Sequence, residues 1–235
     1  MKNDKIKTVA YMGLYVALYV VLKWVGNLIP FLKMPNGGSI ELELVAVFIA
    51  SYHLGWLKGI AVALLSWLIT FVLGFEMWFV SPVQIFLDYI GPLAVCGIAS
   101  LLWPFKKTGK VTSVILAVGV GIGAYFGITM SWNGGVTTVI IAVIAAAASA
   151  LFTGWYVETK KKFGIVIAML LKYVMQMLSG VYFWFPEGAA AGSREAWVFS
   201  AGYNLWYNLV TMVVCIFVVP MLIDRLEKAN VKFVA

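Results

Sequence analysis

The strongest constraint on this chain is a repetition: apolar runs with almost no charge return along its whole length, separated by short loops that hold most of the ionised residues. A helix needs about 20 predominantly apolar residues to cross a bilayer, and a soluble core does not repeat runs of that length. Composition agrees, with 63% hydrophobic and 11% charged residues against about 45–50% and about 25% in soluble domains. The mean hydropathy is +0.97. The expected fold is all-α: a polytopic transmembrane helical bundle in which residues 1–235 form a single integral membrane domain. Spans are expected at 8–28, 40–52, 59–73, 81–104, 163–184 and 196–223. Two more fall in an apolar hairpin at 111–158, giving about eight. The first span has no small-residue cleavage site and reads as a retained helix.

The formal charge of +7 does not indicate nucleic acid, because no basic face with interleaved aromatics is present. Thirteen of the 17 basic residues sit in the tails and in loops on the N-terminal side. Lys33 and Arg194 occupy opposite loops, and Lys23 and Lys172 lie within helices. The positive-inside rule then places both termini in the cytoplasm, in a plasma membrane of bacterial type. Cys96 and Cys215 lie in apolar segments without CxxC spacing, and His53 is the only histidine, so no metal centre or cofactor is expected. There is no HExxH pair, no GxSxG elbow and no GxxxxGK[ST] phosphate loop. The chain is expected not to be an enzyme, and uphill transport would draw on a partner or an ion gradient.

The polar residues inside apolar runs carry the functional information. Segment 81–104 contains Asp88, with Tyr89 beside it, and a charge inside a membrane segment costs at least ~2.5–3.5 kcal/mol. Such a group faces a cavity, a ligand or a counter-charge, and Lys172 is the alternative partner. Lys172, Gln176 and Ser179 share one face of their helix. The last helix opens with Trp197, Phe199, Tyr203, Asn204, Tyr207 and Asn208. With Trp78, Tyr182 and Trp184 nearby, these residues suit a small, flat, partly cationic heteroaromatic ligand. Aromatic residues at helix ends equally serve as interfacial anchors. Glu41 and Glu43 read as first-turn residues complementing a helix dipole, Glu43 alternatively facing a pocket, and His53 reads as a solvated end residue. Ala10, Gly13 and Ala17 form a small-residue face that lets another helix approach, whether internal or a partner's. The 111–158 hairpin has almost nothing polar inside and reads as packing.

The ordered segments LEL-VAVFIASYHLGWLKGIAVALLSWLITFVLG, SPVQIFLDYIGPLAVCGIASLL, LLKYVMQMLSGVYFW and YNLWYNLV resemble the thiamine-specific substrate-binding components of energy-coupling-factor transporters, the ThiT or YuaJ family. The resemblance covers about residues 8–105 and 165–225 and leaves the hairpin as an insertion. It implies a six-helix core that captures thiamine, or a closely related pyrimidine or thiazole compound, near the outer face. It also implies docking, through Ala10, Gly13 and Ala17, to a transmembrane coupling subunit driven by two ATPase subunits. The family's pocket carboxylate, a Glu, falls on Asp88 and its neighbouring Tyr on Tyr89. Its histidine falls on Gln176, its helix-end aromatic on Trp184, a Tyr on Phe199 and an Asn on Asn204. A loop Trp aligns loosely with Ser39. Lys172 and Tyr203 complete the expected ligand-binding set. The competing expectation is a stand-alone proton-coupled transporter of a small heteroaromatic solute, using Asp88 and Lys172 as a titrating pair.

Overall fold

A computed structural model describes residues 2–34, 37–102, 118–125, 128–129, 136–157 and 163–233. Among these, the only extended pairing is an isolated bridge between Lys33 and Ser39. The long elements are helices: α1 (Lys2–Leu28), α2 (Leu44–Leu54), α3 (Trp56–Val72), α4 (Pro82–Gly97), α5 (Val136–Val157), α6 (Phe163–Phe183) and α7 (Arg194–Lys228). Helices α1, α6 and α7 are long and apolar enough to cross a bilayer, and the others contain shorter apolar helices. The helical membrane bundle expected from the sequence is therefore present. The basic residues Lys106, Lys107 and Lys110, residues 111–117 and 130–135 of the expected hairpin and residues 158–162 lie outside the described residues.

The chain divides into two compact units, Met1–Leu102 with Gly164–Ala235, and Trp103–Phe163. Among the described residues the first holds the six long helices α1 to α4, α6 and α7. In the second, a helical stretch at 118–125 approaches α5 so closely that a Cβ on Gly121 would stand 3.1 Å from the Ala146 carbonyl oxygen and the Ala150 methyl. Small residues thus permit the contact, as in other membrane helix pairs.

Within the six-helix unit, α2 is the centre. Its 11 residues are all buried, and at 1.5 Å per residue they span only about 16 Å. Before it, the described residues 33–34 and 37–43 are irregular backbone apart from the Lys33–Ser39 bridge. That is tolerated inside a membrane only when its polar groups find partners in protein. Here the Met34 N–H donates to Gly38 O, Ile40 N–H to Leu32 O, and Glu41 N–H to Thr211 Oγ1 of α7. The helix expected at 40–52 therefore starts four residues later. Glu41 and Glu43 are not first-turn residues, and their carboxylates are used in tertiary ion pairs.

The far end of α2 is held by backbone proximity. A Cβ on Gly59 would collide with Gly97 O and stand 2.9 Å from the Ser51 Cα. The Ser51 hydroxyl donates to Gly97 O at 2.6 Å. His53 is buried, not solvated: it shares a 2.7 Å hydrogen bond with the Tyr15 hydroxyl and packs against Tyr11 and Phe233. Phe233 reaches it because α7 ends in a reversal at Asn230 (φ 62°), where Asn230 N–H donates to Glu227 O and Val231 N–H to Leu226 O. This is a Schellman-type stop.

Candidate functional site

Hydrogen bonds tie the start of α7 to Gly37, α4 to Trp78 in the segment before it, and Trp184, just past α6, to Asp88. The position of Asp88 follows from Pro92. Proline lacks an N–H and its ring crowds the carbonyl four residues back, which is that of Asp88. The helix responds with a π-turn over Phe86–Ile90, in which Gly91 N–H donates to Phe86 O. Such turns re-aim side chains and occur often at functional sites. Two donors converge on Asp88 Oδ2: Gln84 Nε2 at 2.6 Å and Trp184 Nε1 at 2.9 Å. Asp88 is half-buried and Trp184 37% exposed, so the pair is partly accessible. The Tyr89 hydroxyl accepts from the Trp78 N–H and donates to its carbonyl, at 2.9 and 3.3 Å. Phe79 meets the Tyr89 ring edge-on.

A second polar group lies deeper, one face of α6 against one face of α7. Lys172 is 1% exposed. Its ammonium pairs with Glu41 Oε2 at 2.7 Å and donates to Gln176 Oε1 at 2.8 Å and Asn208 Oδ1 at 2.9 Å. It also stands 5.6 Å from the centre of the Tyr207 ring. Asn208 Nδ2 donates back to Gln176 Oε1, and the Tyr207 hydroxyl donates to Asn204 Oδ1. The helices approach closely here because residue 180 is glycine: a Cβ there would collide with Ser200 Oγ. Beside this group Lys23 of α1 pairs with Glu43 at 2.9 Å.

The structure thus joins Lys172 with Gln176, and Asp88 with Trp184. It separates Asp88 from Lys172: the expected alternative pairing does not form, and Lys172 takes Glu41 as its counter-ion instead. Phe199 stacks on Tyr203 at 5.6 Å, and the Tyr203 hydroxyl donates to Gly37 O at 2.6 Å, fastening the 33–43 segment to α7. Ser39 lies in that same segment. Ala10, Gly13 and Ala17 are exposed on α1, and nothing stands within 4 Å of a Cβ placed on Gly13.

Residues not selected from the sequence are Gln84, Glu41, Ser200 and Thr211. Ser200, Asn204, Asn208 and Thr211 follow a spacing of four, four and three along α7, the same stripe signal that singled out 172, 176 and 179 on α6.

The model for the thiamine transporter protein family (Thia_YuaJ) matches residues 9–231. The chain belongs to this family. Thiamine transporter ThiT of Bacillus subtilis (strain 168) is 25% identical over 211 residues, 90% of this chain and 87% of that protein. Family membership gives the chain a membrane location and a role in thiamine transport. The family is one of transporters and not of enzymes. Its match extends across both helical units.

Proposed function

We propose that this chain is the membrane-embedded capture subunit of an energy-coupling-factor importer, taking thiamine or a closely related pyrimidine or thiazole compound. The observation that carries the reading is the half-buried carboxylate of Asp88, held as an acceptor by Gln84 and Trp184. An aminopyrimidine offers N–H donors to such a group, and charge-assisted hydrogen bonds are the stronger kind. Trp184, Tyr89 and the stacked Phe199–Tyr203 pair supply aromatic surface for the rings and for the cationic thiazolium. Gln176 lies about 12 Å down α6 from Trp184, eight residues at 1.5 Å each; Lys172 lies four residues farther along α6, and Asn204 is on α7. That separation suits two linked heteroaromatic rings with a short tail.

The sequence contains no GxxxxGK[ST] phosphate loop, so uphill transport draws on a partner or an ion gradient, and a partner is the source proposed. The exposed small residues Ala10, Gly13 and Ala17 are the proposed contact for a transmembrane coupling subunit with two ATPases. Both termini are assigned to the cytoplasm by the distribution of lysine and arginine. Uptake assays test the coupling. Cells lacking thiamine uptake should accumulate labelled thiamine only when this chain is expressed together with an energy-coupling-factor module. Thiamine accumulation by liposomes containing this chain alone, driven by a proton gradient, would contradict the proposal and return the stand-alone transporter.

A further inference from the structure

Gln84 is 0% exposed, although it sits in the first turn of α4, two residues after Pro82. All three polar positions of its side-chain amide are used. Nε2 donates to Asp88 Oδ2 at 2.6 Å and to Trp78 O at 3.0 Å, and Oε1 accepts from Val80 N–H at 3.1 Å. Its own N–H is taken by the capping hydroxyl of Ser81 at 3.1 Å. Only this orientation of the amide works. Rotated by half a turn, Oε1 would face two acceptors, the Asp88 carboxylate and the Trp78 carbonyl, while the amide nitrogen would face the Val80 N–H.

The consequence runs in both directions from Gln84. Toward the helix, the Val80 N–H dictates that the amide presents a donor to Asp88, so Oδ2 is kept as an acceptor with its lone pairs directed at Gln84 and Trp184. Toward the loop, segment 75–80 has no helical ladder of its own. Its Trp78 carbonyl and Val80 N–H are satisfied by Gln84, and the Trp78 N–H by Tyr89. These two α4 side chains flank Asp88 in sequence, at i−4 and i+1.

From this geometry we infer that Gln84 is a positioning residue for ligand recognition: it fixes the Asp88 carboxylate in its accepting orientation and locks the Trp78–Val80 backbone to the same carboxylate. It need not touch the ligand to do this. The inference rests on the proposed capture of an aminopyrimidine by Asp88, and deepens it by naming the residue that sets the carboxylate.

The test uses full-length protein containing 5-fluorotryptophan, with the fluorine resonances of Trp184 and Trp78 assigned through Trp184→Phe and Trp78→Phe. Two replacements remove the donor differently: Gln84→Met keeps the volume, and Gln84→Glu keeps the shape but opposes one carboxylate with another. In ligand-free protein either replacement is expected to shift both resonances while that of Trp24, on α1, stays in place as the check on folding. Thiamine affinity should fall roughly 10–100-fold, the range for losing a hydrogen bond to a charged group. That loss should shrink to less than about threefold when the replacement is made on top of Asp88→Asn, because coupled residues lose their effect together. An analogue with oxygen in place of the pyrimidine amino group should be affected less than thiamine.

Unmoved Trp184 and Trp78 resonances would overturn the inference, as would equal affinity losses with and without the Asp88→Asn replacement. If the resonances move while the unmodified protein binds no thiamine, the positioning geometry holds and the assigned ligand falls.

Discussion

Replacing Glu41 by Leu removes the sole charged partner of Lys172 among the described residues. Lys172 is 1% exposed and is then left with two neutral acceptors, Gln176 and Asn208. Removing one member of a buried ion pair costs about 3–5 kcal/mol, chiefly because the remaining charge is uncompensated. Lys172→Met leaves Glu41, whose side chain is 19% exposed, and withdraws a donor from Asn208. That combination is expected to cost about 2–4 kcal/mol. The double replacement leaves no lone charge, so it should be less destabilised than the two singles added together, by about 2 kcal/mol. In thermal unfolding of the detergent-purified chain, Glu41→Leu should lower the Tm by on the order of 10 °C. The double replacement should recover part of that loss. A Glu41→Leu protein melting with the unmodified one, or losses that add without coupling, would refute the assignment of Glu41 as the counter-ion.

Other outcomes follow from single contacts. Gly59→Ala forces a methyl against Gly97 O and the Ser51 backbone, neither of which is a flexible side-chain end. It should lose about 1–3 kcal/mol in the same melts. Gly13→Leu meets open space, so the Tm and thiamine binding should be unchanged, while uptake through the coupling module should fall. Normal uptake would remove α1 as the docking face. Tyr203→Phe deletes the bond that ties the 33–43 segment to α7. Ligand dissociation measured by stopped-flow should speed up roughly fivefold, the equivalent of about 1 kcal/mol.

Asp88 was legible in the sequence because ionisation in an apolar run has few physical explanations, and Lys172 for the same reason. Their partners were harder to read. Lys172 finds its counter-ion in Glu41, which the residues around it present as the first turn of a helix. Only the late start of α2 at Leu44 frees that carboxylate to turn inward. Gln84 stands in the first turn after Ser81–Pro82, where a polar residue ordinarily needs no explanation. Its burial depends on the 75–80 backbone folding over it, which no periodicity encodes. His53 sits at a helix end and reads as solvated until the reversal at Asn230 carries Phe233 back onto it. The helical pattern itself was plain, because spans are written in runs of apolar residues. Helix ends were less so: α7 continues through Arg225 to Lys228, since lysine and arginine favour a helix C-terminus.

The central claim is that Asp88 receives the aminopyrimidine of a thiamine-like ligand beside Trp184. Calorimetric titration of thiamine into the purified chain, with Asp88→Asn in parallel, tests it most directly. The account predicts saturable one-to-one binding in the nanomolar range, weakened roughly 100-fold or more by the loss of a charge-assisted hydrogen-bond acceptor. The Asp88→Asn protein should keep the unmodified melting profile. Equal thiamine affinity in the two proteins would contradict the account and leave Asp88 as a structural acceptor for Gln84 and Trp184 alone.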